Sequence, residues 1–462
     1  MKKIAFLSDG WKKTIDYLSI EGIMEGFRAH NEEVCVCQFN SNGNWSHDTK
    51  YNHGEYNIYN LPDLSEFDGI VLNCNTTVDM AQVENLIRIA KAANVPVINI
   101  GFDIDGFYYV GMDARRAIFA LMDHLFREHN CRHFIFAGGP ITNGENSVRA
   151  DAFKEYLEIV GLPVAENPVL YGDFDFYSGI QHFRSISGGN RLPDAIVCAN
   201  DNIAAGVCYE AQRMGYEVPG DFLVTGFDDY DKAKYFIPQI TTVAYDDSGI
   251  GQMCAETFVD IWRTGKADTY NYIPTNAYFT ESCGCPSRHD TDFRLLCENN
   301  VLDSVAVQMY EDKRMDFEAD LVKCQSLEEI FECAGKFIRG LDCDGVYYAI
   351  DKRYFEASPY FTPDTDGYDP ENIRIVYSSD SDTAYGGNTI KDIFNMVYGG
   401  VQGVHYMFLP MHFDEKVIGF CIIKNAKFVK EGFPLYDAQC AVNVAIWKTF
   451  KENQLNNALK TR

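Results

Sequence analysis

Across the first 285 positions, short apolar runs rich in β-branched side chains alternate with longer segments whose apolar residues recur every three or four positions. Residues 3–7 predict a strand, 17–30 a helix and 33–39 a strand, and 67–72, 78–93 and 95–100 repeat the unit. The pattern restarts with a helix over 114–129 and runs on through a strand at 133–137 and a helix at 148–160. A strand at 195–198, a helix at 202–214 and a strand at 222–226 complete it. Strands separated by helices of ten or more residues pair in parallel through right-handed crossovers, so two doubly wound lobes are expected in succession. Ligands in such sheets lie beyond the carboxyl ends of the strands, and two facing edges form a cleft.

After Cys285 the pattern changes. Residues 291–325 predict one long polar helix with Leu302, Val305 and Met309 on a single stripe. A second helix begins at the capping sequence Ser326-Leu327-Glu328-Glu329. Strands are expected at 345–351, 373–378 and 404–412, and 407–413 with 417–424 reads as a hairpin around Asp414-Glu415-Lys416. Residues 436–462 contain neither glycine nor proline and predict a final helix.

A chain of 462 residues is too long for one core, so several domains are expected. The formal net charge of -27 repels phosphate backbones and anionic membranes, and no nucleic-acid or membrane contact is expected from it. The N-terminal apolar run, Ile4 to Leu7, ends at Asp9-Gly10 and reads as a strand, not as a signal peptide. Fifteen cysteines scattered through expected strands and helices suit reduced thiols, and a cytoplasmic location is expected.

Five blocks carry a family resemblance, in order: Val110-Gly111-Met112-Asp113, the run from Ser147 to Phe153, the run from Ala195 to Gly206, the run from Val218 to Asp229, and Ile240-Thr241-Thr242-Val243. Together they resemble the effector-binding core of the LacI/GalR regulators, a type I periplasmic-binding-protein-like fold. The resemblance implies a clamp over 1–285, with one lobe about 1–125 and 244–272 and the other about 126–243 and 273–285. It also implies a homodimer and a small-molecule effector, a monosaccharide or a related polar metabolite. The strands around Phe408-Leu409-Pro410-Met411-His412-Phe413 and Val417-Ile418-Gly419-Phe420-Cys421-Ile422-Ile423 resemble a GAF-type sensory domain. The expected organisation is thus clamp, helical connector 286–325, α+β GAF-like domain 326–435 and exit helix 436–462. Chains of this kind resemble sensory parts of GGDEF diguanylate cyclases or AraC-type regulators, with the output lying beyond Arg462. The alternative is a solute-binding protein serving a transporter, which the free cysteines and the absent leader oppose.

In the family the position of Arg149 contacts the effector, and a guanidinium at a helix start offers a fork of donors to paired hydroxyls or a carboxylate. Asn200 is expected on the ligand, with Asp201 capping the next helix. Asp228, after the strand at 222–226, accepts from vicinal hydroxyls, with Asp229 structural. Asp113 is either a ligand from the opposite lobe or a helix cap. Trp11 and Phe174 are loop aromatics suited to the apolar face of a sugar or nucleobase, and Asp9 and Tyr245 complete the candidate set. A neutral sugar, a nucleoside and a sugar acid all remain open.

Cys283-Gly284-Cys285 with His289 offers only three local metal ligands and is read as a domain-junction turn, so no metal and no cofactor are expected. The chain holds no Walker loop, nucleophile elbow or His-Glu-x-x-His motif, so it is not expected to be an enzyme. Removing residues 291–462 is expected to leave ligand binding intact while severing the signal.

Overall fold

The computed structural model describes residues 1–10, 14–42, 48–74, 77, 79–164, 168–189, 191–289, 291–379, 389–399, 403–428 and 435–460. The first lobe is a parallel sheet of β1 (Lys2–Ser8), β2 (Val34–Asn40), β3 (Gly69–Asn73), β4 (Val97–Ile100), β5 (Tyr108–Met112) and β11 (Tyr270–Ile273). Helices α1 (Thr14–Ala29), α2 (Thr49–Tyr56), α3 (Met80–Ala92) and α9 (Asp247–Thr264) accompany it. Burial on both faces explains why these strands are apolar runs and not alternating ones; every residue of β2 and β3 is buried.

Helices α1 and α9 approach unusually closely because glycines face one another. A Cβ on Gly22 would sit 2.1 Å from the Ser248 carbonyl oxygen, and one on Gly251 only 1.9 Å from that of Ser19. Phe27, Phe258 and Trp262 stack at the far end of the contact. This packing holds the start of α9, which borders the cleft.

The second lobe carries a parallel sheet in the order β7 (Val169–Leu170), β6 (Phe134–Ala137), β8 (Ala195–Cys198) and β9 (Leu223–Thr225). Around it lie α4 (Ala114–Arg127), α5 (Gly144–Ile159), α6 (Phe176–Ser187), α7 (Asp201–Arg213) and α8 (Asp231–Tyr235). A short antiparallel pair, β10 (Thr242–Ala244) and β12 (Asn276–Tyr278), closes the returning chain. Helix α4 packs on α5 and β12, so the chain enters the second lobe at Asp113 and not near residue 125.

The remainder comprises α10 (Phe293–Leu321), α11 (Leu327–Arg339), β13 (Gly345–Asp351), α12 (Arg353–Glu356), β14 (Ile373–Ser378), α13 (Ile390–Tyr398), β15 (Val404–Phe413), β16 (Lys416–Lys424) and α14 (Leu435–Lys460). Ser326 caps α11 by accepting from the Glu329 amide at 3.3 Å. The Glu329 carboxylate turns instead to the Gln325 amide, so only half of the expected capping box forms. In α10 the buried residues are Tyr310, Phe317 and Leu321, whereas the expected stripe of Leu302, Val305 and Met309 is exposed.

The C-terminal strands do not form a sheet of their own. β15 pairs in parallel with β2, from Val404 opposite Cys35 to Phe408 opposite Phe39, and one ten-stranded sheet runs from β11 to β14. Ala5, Cys37, Phe39, Tyr406, Phe408 and Phe420 share an apolar cluster across the seam, with the Phe39 and Phe408 rings stacked at 4.8 Å. Two buried polar contacts fix the register. His405 Nε2 lies 3.0 Å from Gln38 Oε1, and burial lowers the His405 pKa to about 4, so its ring is neutral. His412 Nε2 lies 3.0 Å from Glu55 Oε1 on α2. Here burial opposes the charge, but the hydrogen bond and charge of Glu55 prevail and raise the histidine pKa. The seam covers an edge that the first lobe alone would expose.

Candidate functional site

Between the two lobes lies a cavity of about 230 Å³, below the roughly 300–1,000 Å³ of drug-sized sites. Its walls come from both lobes: Asp16, Ser19 and Asn73 from the first, and Glu145, Arg149 and Asp228 from the second.

Arg149 organises the second-lobe wall. Asn143 caps α5 by accepting from the Asn146 amide, and Asn146 in turn ties the glycine loop through Gly139 and Pro140. This places Arg149 with its side chain 2% exposed. Its Nη1 donates to the Ala199 carbonyl at 2.6 Å, and its guanidinium lies 4.0 Å from the Phe227 ring centroid. Nη2 reaches Glu145 Oε2 at 3.2 Å and Asp228 Oδ1 at 3.6 Å, while buried Nε has no partner among the described residues.

One guanidinium thus faces two carboxylates. Burial pushes the Asp228 carboxyl up to about 7 against the pull of Arg149, and Glu145 adds repulsion. Burial also raises Glu145, with Arg149 opposing. Asp247, at the start of α9, is pushed to about 6 by burial and by the charge of Asp246. Burial disfavours the Arg149 cation, but Asp228 and Glu145 outweigh it and the guanidinium stays charged. Tyr230 keeps its proton beside the charge of Asp228, and Tyr245 keeps its own through burial and the same charge. The wall therefore offers a fixed cation, carboxylates that exchange protons near neutrality, and phenol donors.

Asp228 has φ of 99° and Asp229 of 54°, left-handed conformations that side chains seldom adopt. Bridging of Asp228 to Ala244 holds the turn, with the Asp228 amide donating to the Val243 carbonyl at 2.9 Å. The strain turns the two carboxylates apart. Asp228 faces the cavity, and Asp229 meets Arg288 at 2.6 Å on the exit from the clamp.

Of the expected residues, Arg149, Asn200, Asp228, Phe174 and Tyr245 come together around this cavity. Asn200 lines it but is also the N-cap of α7, accepting from the Ile203 amide at 3.0 Å and donating to the Phe174 carbonyl at 3.1 Å. Asp201, expected as the cap, is instead buried against the Thr242 hydroxyl and the Tyr230 amide. Asp113 caps α4 through the Arg116 amide and is not among the cavity-lining residues. Asp9 is buried at the end of β1, accepting from the Gly10 amide and the Ser41 hydroxyl, and also lies outside the lining. Trp11 falls outside the described residues. Missed were Asp16, Ser19, Asn73, Glu145, Tyr230 and Asp247. Only Glu145 left a signal, four positions before Arg149 on a helix. Asn73 donates to Asp16 Oδ1 at 2.7 Å, a pairing of a strand end with a helix that no local spacing encodes.

Residues 122–283 match the family model of a periplasmic binding protein-like domain. Over 122 residues the chain is 31% identical to the HTH-type transcriptional repressor PurR of Photorhabdus laumondii subsp. laumondii, covering 26% of this chain and 36% of that protein. The PurR of Proteus mirabilis is 30% identical over the same length and shares. The chain thus matches about a third of the length of these curated relatives, which are transcriptional repressors and not enzymes. Among solved structures, a putative transcriptional regulator LacI from Bacillus cereus subsp. cytotoxis aligns with a TM-score of 0.51 and 19% identity, covering 63% of this chain and all of that one. A regulatory protein of LacI family from Chloroflexus aggregans gives 0.50 and 20%, covering 60% and 98%. The α/β clamp fold is shared.

These relatives correct one expectation. The helix-turn-helix repressors act on DNA, so the net charge of -27 does not exclude nucleic-acid contact. Net charge sums over the whole surface, whereas such contact is made by one locally basic helix in the major groove. Among the described residues no helix is long and apolar enough to cross a membrane.

Proposed function

We propose that this chain is a cytoplasmic effector sensor of a transcription regulator, whose two lobes close on a small, neutral, polyhydroxylated metabolite. The observation that carries the reading is Arg149: almost fully buried, charged, held between Glu145 and Asp228, and with Nε left without a partner at the wall of an interlobe cavity. An unsatisfied buried donor costs about 1–3 kcal/mol unless a ligand or water supplies an acceptor.

The balance of charge favours a neutral ligand over a sugar acid or phosphate. Asp16, Glu145, Asp228 and Asp247 line the cavity beside a single guanidinium, and adding an anion increases the repulsion. Vicinal hydroxyls both accept from Arg149 and donate to Asp228, and Phe174 offers an apolar face.

Closure has a route outward. Asp228 is joined through Asp229 to Arg288, and the Tyr235 ring packs on Phe293 at the start of α10. We read the C-terminal unit as a GAF-like relay fused to the first lobe through β15. The transcriptional output has the support of the PurR relatives; a diguanylate cyclase or a transporter has none there.

Thermal shift of the purified chain against monosaccharides, nucleosides, sugar acids and sugar phosphates tests this. A ligand at 100 times its dissociation constant adds about 2.7 kcal/mol to the folded state. A neutral polyol should raise the melting temperature in the native protein and fail to do so in Arg149→Met. A shift with anionic compounds only, or one that persists in the variant, would overturn the reading.

A further inference from the structure

His124, His129, Cys283 and Cys285 converge outside the cleft, with their four ligand atoms all within 4.8 Å of one another. His124 lies in the last turn of α4, and His129 follows five positions later. The cysteines lie more than 150 positions further on, at the turn after β12. Gly284 between them has φ of 88°, a left-handed conformation that brings both thiols to one side. His124 is stacked on Phe279 at 3.8 Å with an interplanar angle of 17°, which fixes its ring. Cys283 is fully buried, and the other three are partly buried.

Four of the six spacings are close to those of a tetrahedral zinc site. With zinc–sulfur bonds of about 2.3 Å and zinc–nitrogen bonds of about 2.05 Å, a regular tetrahedron separates two nitrogens by about 3.3 Å, nitrogen from sulfur by about 3.6 Å and two sulfurs by about 3.8 Å. Here His124 Nε2 and His129 Nε2 are 3.1 Å apart. The Cys285 Sγ lies 3.3 Å from the first and 3.5 Å from the second. The Cys283 Sγ lies 3.7 Å from His124 Nε2. Two thiolates and two neutral imidazoles leave a bound divalent zinc with no net charge to bury, and histidines three to five residues apart are a usual half of such a set.

We propose that these four residues bind one structural zinc ion. His289, the histidine nearest the two cysteines in sequence, is exposed and stands outside the cluster, whose histidines come instead from the end of α4 and the turn after it. The ion would clip the end of α4 to the segment that leaves the clamp, eight residues before Phe293 opens α10. The connector would then depart from a point rigidly attached to the second lobe, so that movement of this lobe is transmitted to α10 and not absorbed at the junction.

The test is metal analysis of the full chain, purified under reducing conditions without chelator, beside Cys283→Ser/Cys285→Ser and His129→Asn. One zinc per chain is expected in the native protein, with at least a fivefold loss in the double variant. Cobalt exchanged into the native protein should show the thiolate charge-transfer and intense visible bands of a tetrahedral Cys2His2 site, which a hydrogen-bonded cluster cannot produce. Should the double variant fail to fold, the cobalt spectrum of the native chain and the zinc content of His129→Asn decide. Folded, reduced native protein that holds no zinc and gives no cobalt spectrum would overturn the proposal. So would a Cys283–Cys285 disulfide persisting with no metal bound.

Discussion

Replacing Asp228 with asparagine should remove much of the acid-side stabilisation of the ligand-free chain. The carboxyl is 7% exposed and its pKa is raised to about 7, against an ordinary value of about 3.9 in the unfolded chain. Between those values the folded protein holds a proton that the unfolded chain has released. A raised carboxyl pKa therefore contributes stability at low pH that is lost as pH rises through the folded value. Integrated from about pH 5 to about pH 8, the loss is about 2.6 kcal/mol. Asp247, raised to about 6, acts in the same direction and is present in both proteins. Asparagine keeps the shape but cannot ionise, so the difference in stability between variant and native protein should move by roughly 2–3 kcal/mol across that window, in favour of the variant at the alkaline end. Urea unfolding of both proteins at the two pH values, followed by tryptophan fluorescence, reads the change. Parallel pH profiles would refute the reasoning, because Asp228 would then be ionised throughout and Arg149 would dominate its environment.

Three further outcomes are expected. Gly251→Ala should destabilise the chain by about 3 kcal/mol or more, since the new Cβ meets backbone 1.9 Å away; a thermal melt reads it. Glu55→Gln removes the partner that raises His412. A raised histidine pKa contributes stability at low pH that is lost as pH rises, so the deficit of the variant, up to about 3 kcal/mol, should be larger near pH 6 than near pH 9 in urea titrations. Truncation after residue 290 should yield a clamp that aggregates or melts lower, measured by light scattering and thermal shift, because it strips β15 from β2. That reverses the expectation that the clamp works alone.

The lobes were legible because parallel strands buried on both faces write continuous apolar runs, and the helices between them carry a 3.6-residue period. The predicted strands at 195–198, 345–351 and 373–378 coincide with β8, β13 and β14. Helix α9 escaped notice because Gly249 and Gly251, the second of them needed against α1, dilute its apolar pattern. The seam was invisible for a different reason. Cys35, Cys37 and Phe39 are as apolar when paired on one side as on two, and nothing in β2 marks which strand lies next to it. At the cleft, Arg149 and Asp228 stood out through the family blocks, while Asn200 shows that a cap and a cavity-lining residue share one side-chain chemistry. The proposed zinc ligands were half-legible: Cys283 and Cys285 lie two positions apart, but His124 and His129 reach them only through the return of β12.

The most direct measurement is hydrogen exchange of the full chain with and without the compound that raises its melting temperature. Binding between the lobes should slow exchange in both walls together, around residues 15–19 and 245–250 of the first and around 144–149, 200–203 and 228–230 of the second. Protection confined to one lobe, or to residues 326–424 alone, would contradict a ligand held in the cleft by Arg149 and Asp228.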